Sequence, residues 1–238
     1  MLAQKTDRNL YTNVNGKLFN FDSGNIKNAL GIVIDEVCDP SPCPEETALQ
    51  KNIDWARGLD VDNDEPGDYR SDVFGDTLHS KPAVVSYSAT DIRILVGTNA
   101  GFFHMFKDND EAGVDETWAF MPAELFKNVP ILRENERISP KVYGVDGSPV
   151  VHFSDANGDG VVGDGDKVWV FFGLRRGGNS YYAMDITNPD SPKLMWKIDN
   201  NSTGFSELGQ SWSTPVISYM AANGVKPVLV FGAGYSTN

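Results

Sequence analysis

The chain has 238 residues, 40% of them hydrophobic and 11% aromatic, enough to bury the core of one large all-β unit or of two smaller domains. Its 33 acidic residues against 20 basic ones give a formal charge of −13, which argues against binding nucleic acid or docking on anionic lipid through a basic surface. No apolar run approaches the ~20 residues of a membrane-spanning helix. Met1–Lys5 lacks the apolar core of a signal peptide, so the segment is expected to begin after any export signal or at an added start.

Residues 8–21 carry a hairpin signal. Asn15-Gly16 supplies the positive φ values of a type I′ turn between two β-prone runs. Short helices are expected over Ser23–Ile34 and Glu45–Arg57. In the second, Leu49, Ile53 and Ala56 share one face and Gly58 is a natural stop. Between them lie Cys38 and Cys43, separated by four residues, two of them prolines. A disulfide is the expected state, which would place the protein outside the cytoplasm; two free thiols are the other reading. Residues 59–72 form an acidic loop with alternating carboxylates. Glu65-Pro66 stands where a calcium loop needs glycine, so a solvated loop is favoured over a metal site.

From residue 76 the chain repeats. Pro82, Pro149 and Pro215 each open a short strand, at spacings of 67 and 66 residues. A second strand ending in glycine follows each time, at Ile92–Gly97, Val168–Gly173 and Val228–Gly232. Third and fourth strands complete the first two units, at Phe102–Phe106 and Thr117–Met121, and at Tyr181–Asp185 and Leu194–Ile198. Four antiparallel strands per repeat is the blade of a β-propeller. The predicted fold is therefore all-β: a modified, quinoprotein-like propeller with a small helical and disulfide-bearing insertion. The layout is a partial blade at 8–21, the insertion at 22–75, blades at 76–140 and 141–205, and a partial blade at 206–238. The hairpin is assigned to a blade because Leu10–Phe21 aligns without gaps on Leu95–Phe106. A twisted β-sandwich is the alternative architecture.

The second blade carries the strongest chemical signal. Asp155, Asn157 and Asp159 occupy positions 1, 3 and 5 of a twelve-residue loop, with Gly160 at 6, Val161 at 7 and Asp166 at 12. That is the spacing of an EF-hand-type Ca²⁺ loop, where alternate side chains and the carbonyl at 7 surround a hard cation. The flanks, Pro149–Phe153 and Lys167–Phe172, read as strands and not helices, so the loop is expected between two strands. An acidic, Gly-rich hairpin without an ion is the plainer reading.

Other residues carry weaker signals. His79 and His104 have no carboxylate partner nearby in sequence and are expected to be structural. Ser80, Ser148 and Ser213 recur before the repeat prolines, as a turn device does and a nucleophile does not. Trp118 and Trp196 are expected between blades. Arg175-Arg176-Gly177-Gly178 is a tight basic turn, either a plain surface turn or a site that pairs with acidic loops or a partner's carboxylate.

Several long stretches resemble the PilY/PilC family of type IV pilus tip-associated proteins. They are Trp55–Gly58, Gly75–Pro82, Gly97–Phe106, Asp146–Pro149, Gly173–Gly178 and Trp212–Pro215. The resemblance runs from Arg8 to Tyr235. It implies the C-terminal propeller of such a protein, with the family's von Willebrand A-like region lying elsewhere. It also implies a calcium site carried onto Asp155, Asn157, Asp159 and Val161. Family loops often close with Asp at position 9; here that residue is Gly163, which leaves Asp164 or Asp166 to close the site.

The function the resemblance implies is not enzymatic. It is calcium-dependent control of pilus extension against retraction, with twitching motility and adhesion. The implied partners are pilins or minor pilins and a host or abiotic surface, and the implied location is the pilus tip, reached through the periplasm. The alternatives are a quinone-dependent dehydrogenase propeller, whose calcium ligands come from scattered blades, and a generic extracellular carbohydrate- or protein-binding propeller.

Overall fold

The computed structural model describes residues 8–33, 43–136, 140–220 and 226–235. The first hairpin pairs β1 (Leu10–Val14) with β2 (Lys17–Asn20), and Asn15 and Gly16 take the positive φ values of 47° and 75° that the turn requires.

Helix α1 (Ser23–Leu30) starts where Asp22 accepts a hydrogen bond from the Asn25 amide at 2.8 Å. It ends four residues earlier than expected, because Gly31 turns left-handed at φ 65°. Helix α2 (Pro44–Arg57) buries Leu49, Ile53 and Ala56 and stops at Gly58 with φ 105°, as its sequence indicates. Cys43, just before it, is buried. Cys38, the other half of the expected disulfide, lies outside the described residues.

The repeats fold as antiparallel meanders. The first consists of β3 (Ala83–Ser88), β4 (Asp91–Gly97), β5 (Phe103–Asp108) and β6 (Val114–Met121). After it come a 3-10 turn at Ala123–Asn128 and helix α3 (Val129–Glu134), which no sequence signal above indicated. The second meander consists of β7 (Val150–Ser154), β8 (Lys167–Gly173), β9 (Tyr181–Asp185) and β10 (Lys193–Ile198). The third pairs β11 (Val216–Tyr219) with β12 (Pro227–Val230).

One expectation is corrected. Among the described residues the hairpin at 8–21 founds no blade of its own. Strand β1 pairs in parallel with β6, Leu10 opposite Ala119, so the sheet has six strands in the order β2-β1-β6-β5-β4-β3. The alignment of Leu10–Phe21 on Leu95–Phe106 reflects the alternating pattern common to all such strands, and that pattern does not specify a neighbour.

The core lies between the first two meanders. Phe103 stacks on Phe172 with ring centroids 4.0 Å apart, and Phe172 stacks on Tyr182. Trp118 is buried and donates its indole N–H across to the Pro189 carbonyl at 2.8 Å. The Tyr87 hydroxyl likewise donates to the Ile186 carbonyl. Trp196 is only half-buried and packs on Phe171 of its own sheet.

Chain direction then fixes two loop faces. The segments entering β3, β7 and β11 share one face with the β4–β5 and β8–β9 connections. The β7–β8 connection emerges on the other.

Candidate functional site

The β7–β8 connection is the Asp-rich loop. Its backbone folds around its own carboxylates. Asp155 accepts the Gly158 amide at 2.6 Å and the Gly160 amide at 2.8 Å. Asn157 accepts from the Asp159 amide, and Asp159 accepts from the Val161 amide at 2.8 Å. Gly158 and Gly160 supply the left-handed φ values, 76° and 75°, that let the chain curl this tightly. The Gly160 amide, helped by those of Gly158, Asp159 and Asn157, holds the Asp155 carboxyl below its ordinary range.

The two candidates for closing the loop differ sharply. Asp164 is exposed. Asp166 is 1% exposed and accepts the Ala156 amide at 2.8 Å and the Gly163 amide at 2.7 Å, which ties the loop's two ends together. Val162 packs its side chain against the core cluster and anchors the middle. Among the described residues the Val161 carbonyl accepts no hydrogen bond. Also among them, no three His, Cys, Asp or Glu side chains converge as a metal cluster. The oxygen donors stand at the spacing a hard cation uses, and each carboxylate oxygen bonded to an amide keeps a lone pair.

In the other acidic loop, Asp60 accepts the Asp64 and Glu65 amides, and Asp62 pairs with Arg133 at 2.7 Å. The Asp60 and Asp62 carboxylates are therefore committed to local backbone and to an arginine.

A family model for the PilY1 beta-propeller domain matches residues 75–238. The chain belongs to this PilY1 propeller family. Type IV pilus biogenesis factor PilY1 of Pseudomonas aeruginosa strain UCBPP-PA14 is 31% identical over 221 residues, covering 81% of this chain and 18% of that protein. The corresponding protein of strain PAK is 29% identical over 218 residues, again covering 81% and 18%. This chain thus spans under a fifth of the length of these curated relatives. The crystal structure of the P. aeruginosa PilY1 C-terminal domain is 29% identical, with 62% of this chain and 26% of that chain covered and a TM-score of 0.43. The PilY1 family match takes in both meanders and the Asp-rich loop and leaves out the hairpin, α1 and α2. No described helix is long and apolar enough to cross a membrane.

Within this PilY1-family propeller, His79 and His104 have the carboxylate partners that local sequence does not show. His79 Nδ1 lies 2.9 Å from both oxygens of Asp146, 67 residues on. His104 Nδ1 lies 2.8 Å from Glu116, which sits on the neighbouring strand. Glu116 also takes a bidentate pair from Arg8, at 2.6 and 2.9 Å, and Arg8 in turn caps the Ala56 and Arg57 carbonyls. One buried carboxylate therefore fastens the N-terminal segment and α2 to the first blade. Burial alone would push the Glu116 carboxyl up, but the hydrogen bonds from Arg8 and His104 outweigh it and hold the pKa down to about 2. Burial holds His104 below the usual imidazole range despite the pull of Glu116.

The recurrent serines are turn devices. Ser80 Oγ accepts the Gly97 amide, and Ser148 Oγ accepts the Lys81 amide and donates to the His79 carbonyl. In the third repeat the device is Ser211, not Ser213: its Oγ accepts the Leu174 and Arg175 amides.

Proposed function

We propose that this chain is the calcium-binding propeller domain of a type IV pilus biogenesis and adhesion factor. In this reading, ion occupancy at 155–166 sets pilus extension against retraction, and with it twitching and surface attachment. The observation that carries it is the curled loop at Asp155–Asp166, with its alternating oxygen side chains, left-handed glycines and buried closing carboxylate. Membership of the PilY1 propeller family supports the pilus setting.

Asp155, Asn157, Asp159, the Val161 carbonyl and Asp166 hold the ion, while Asp164 remains at the rim. Bound there, Ca²⁺ supplies fixed positive charge among mutually repelling carboxylates. The loop's own residues do the rest. Asp166 joins the loop's ends, and Val162 carries loop order into the core beside β8. The partners are pilins or minor pilins and a host or abiotic surface, and the setting is extracytoplasmic, at the pilus tip. The role in this reading is binding and assembly.

Calorimetric titration with Ca²⁺ tests the site. The protein is expected to bind one ion per chain and Asp159→Ala to bind none; equal heats from both proteins would remove the site. Piliation and twitching of a strain carrying Asp155→Ala with Asp159→Ala test the switch. Unchanged pili with calcium binding lost would leave a structural ion and sink the regulatory role.

A further inference from the structure

The face opposite the Asp-rich loop carries a second constellation, independent of the calcium reading. In each of the first two blades an aspartate ahead of the first strand holds the turn between the second and third strands. In the first blade Asp76 accepts from the side-chain amide of Asn99 at 2.6 Å. In the second, Asp146 accepts from the Arg175 guanidinium at 3.2 Å. Asn99 and Arg175 both stand two residues past the closing glycine, Gly97 or Gly173. In the first blade the turn residue is thus a neutral amide, with Lys141 pairing with Asp76 from outside the turn, whereas the second blade places a positive charge in the turn itself.

Three features make the charge available. The Asp146 side chain is fully buried and also accepts the Nδ1–H of His79, so its single negative charge is divided between two partners. Arg176 adjoins it, exposed, with a hydrogen bond to the Tyr143 hydroxyl at 2.8 Å; among the described residues no carboxylate pairs with it. The rings fix both guanidinium groups. Arg175 stacks over Trp212 at 4.4 Å, and Arg176 lies 5.1 Å from both Tyr143 and Trp212. Each guanidinium has five N–H donors and spends one on the side chains named. Such stacking removes side-chain freedom that a ligand would otherwise have to quench.

The turn itself is locked. Arg175 sits at φ 54°, and a Cβ on Gly177 would lie 1.9 Å from the Gly144 carbonyl oxygen, so the turn is pressed against the loop before β7. Beside it, a cavity of about 50 Å³ is lined by His79, Ser148, Arg175, Trp212, Ser213 and Thr214. That volume admits a group of a few heavy atoms.

We propose that Arg175, Arg176 and Trp212 form a recognition site for the carboxylate of a peptide segment. A planar monoanion suits guanidinium forks held flat against aromatic rings. Buried Asp146, next to Arg175, disfavours the second charge of a phosphate dianion. The site thus distinguishes a face that captures acidic peptide from a face that carries the Asp-rich loop.

The test is a titration of the purified protein, by calorimetry and tryptophan fluorescence, with acetyl-Gly-Gly as the free acid, its C-terminal amide, and inorganic phosphate. The free acid is expected to bind and to perturb Trp212 emission, and the amide to fail. Phosphate is expected to bind more weakly than the free acid. Arg176→Gln, at an exposed position, is expected to weaken the free acid about tenfold with an unchanged melting temperature. Arg175→Asn, which copies the first blade's solution, is expected to keep the turn and lose binding. Equal affinity for acid and amide would overturn the proposal, as would full affinity in Arg176→Gln. So would no binding by the unaltered protein at concentrations on the order of 10 mM, or tighter binding of phosphate.

Discussion

The Asp155–Asp166 loop and the Arg175–Gly178 turn leave opposite ends of strand β8, and they are held in opposite ways. The loop's described hydrogen bonds run within the loop itself: its backbone amides donate to the side chains of Asp155, Asn157, Asp159 and Asp166. A Cβ placed on Gly158 or Gly160 meets nothing within 4 Å. The turn is interlocked with its neighbours. Ser211 of the third repeat caps its amides, Asp146 holds Arg175, and Gly177 lies against the Gly144 carbonyl. A loop whose hydrogen bonds are its own can change state with only Val162, among the described residues, linking it to the core. A turn clamped by its own repeat and the next presents fixed groups. The first arrangement suits an occupancy switch and the second suits a preorganised recognition surface.

Substitutions can break that contrast. The largest effect is expected from Gly177→Ala, whose Cβ would collide with the Gly144 carbonyl at 1.9 Å. Urea denaturation should show a loss of more than about 3 kcal/mol, or failure to fold, because backbone on both sides must move. Gly160→Ala, with open space but a left-handed φ of 75°, should cost only about 1 kcal/mol. Similar losses from the two would end the distinction between a clamped turn and a self-contained loop.

Next in size is the buried carboxylate that latches the N-terminal segment. Glu116 has its folded pKa depressed from 4.5 to about 2. Its stabilisation, on the order of 3 kcal/mol, is full above about pH 4.5 and declines as pH falls toward 2. The depressed His104 adds an earlier loss below its ordinary value of 6.5, where the unfolded chain binds the proton first. Glu116→Gln should be less stable at neutral pH and flatten the steep fall below 4.5. An unchanged acid limb would remove Glu116 as its cause.

Within the Asp-rich loop, Asp166→Ala should cost about 1–2 kcal/mol, since it removes the partner of the part-buried Ala156 and Gly163 amide bonds. Exposed Asp164→Ala should fall within about 0.5 kcal/mol. If Asp164 proves the costlier, the closing residue has been misassigned.

Much of this molecule is legible locally. The Asn15-Gly16 turn, the apolar face and glycine stop of α2, the period-two strands and the Asp-rich loop between β7 and β8 all follow from conformations that a few adjacent residues dictate. The Pro-led repeats of 67 and 66 residues indicate the meanders, because each unit repeats the same local sequence of strand and turn. The position-12 spacing favours Asp166, but only its burial distinguishes it from Asp164.

What the tertiary structure decided concerns partners distant in sequence. The parallel seat of β1 on β6, the Arg8–Glu116 latch across 108 residues and the meeting of His79, Asp146 and Arg175 have no local signature. Ser211 and Ser213 show the same limit, since both precede the third repeat's proline and only one faces the neighbouring turn. The physical reason is that a strand's alternation specifies which face is buried, while the identity of the group across the interface depends on how whole sheets stack. Local pattern therefore determined the Asp-rich loop of this PilY1-family propeller, and sheet packing alone assembled the charged turn at the other end of the same strand.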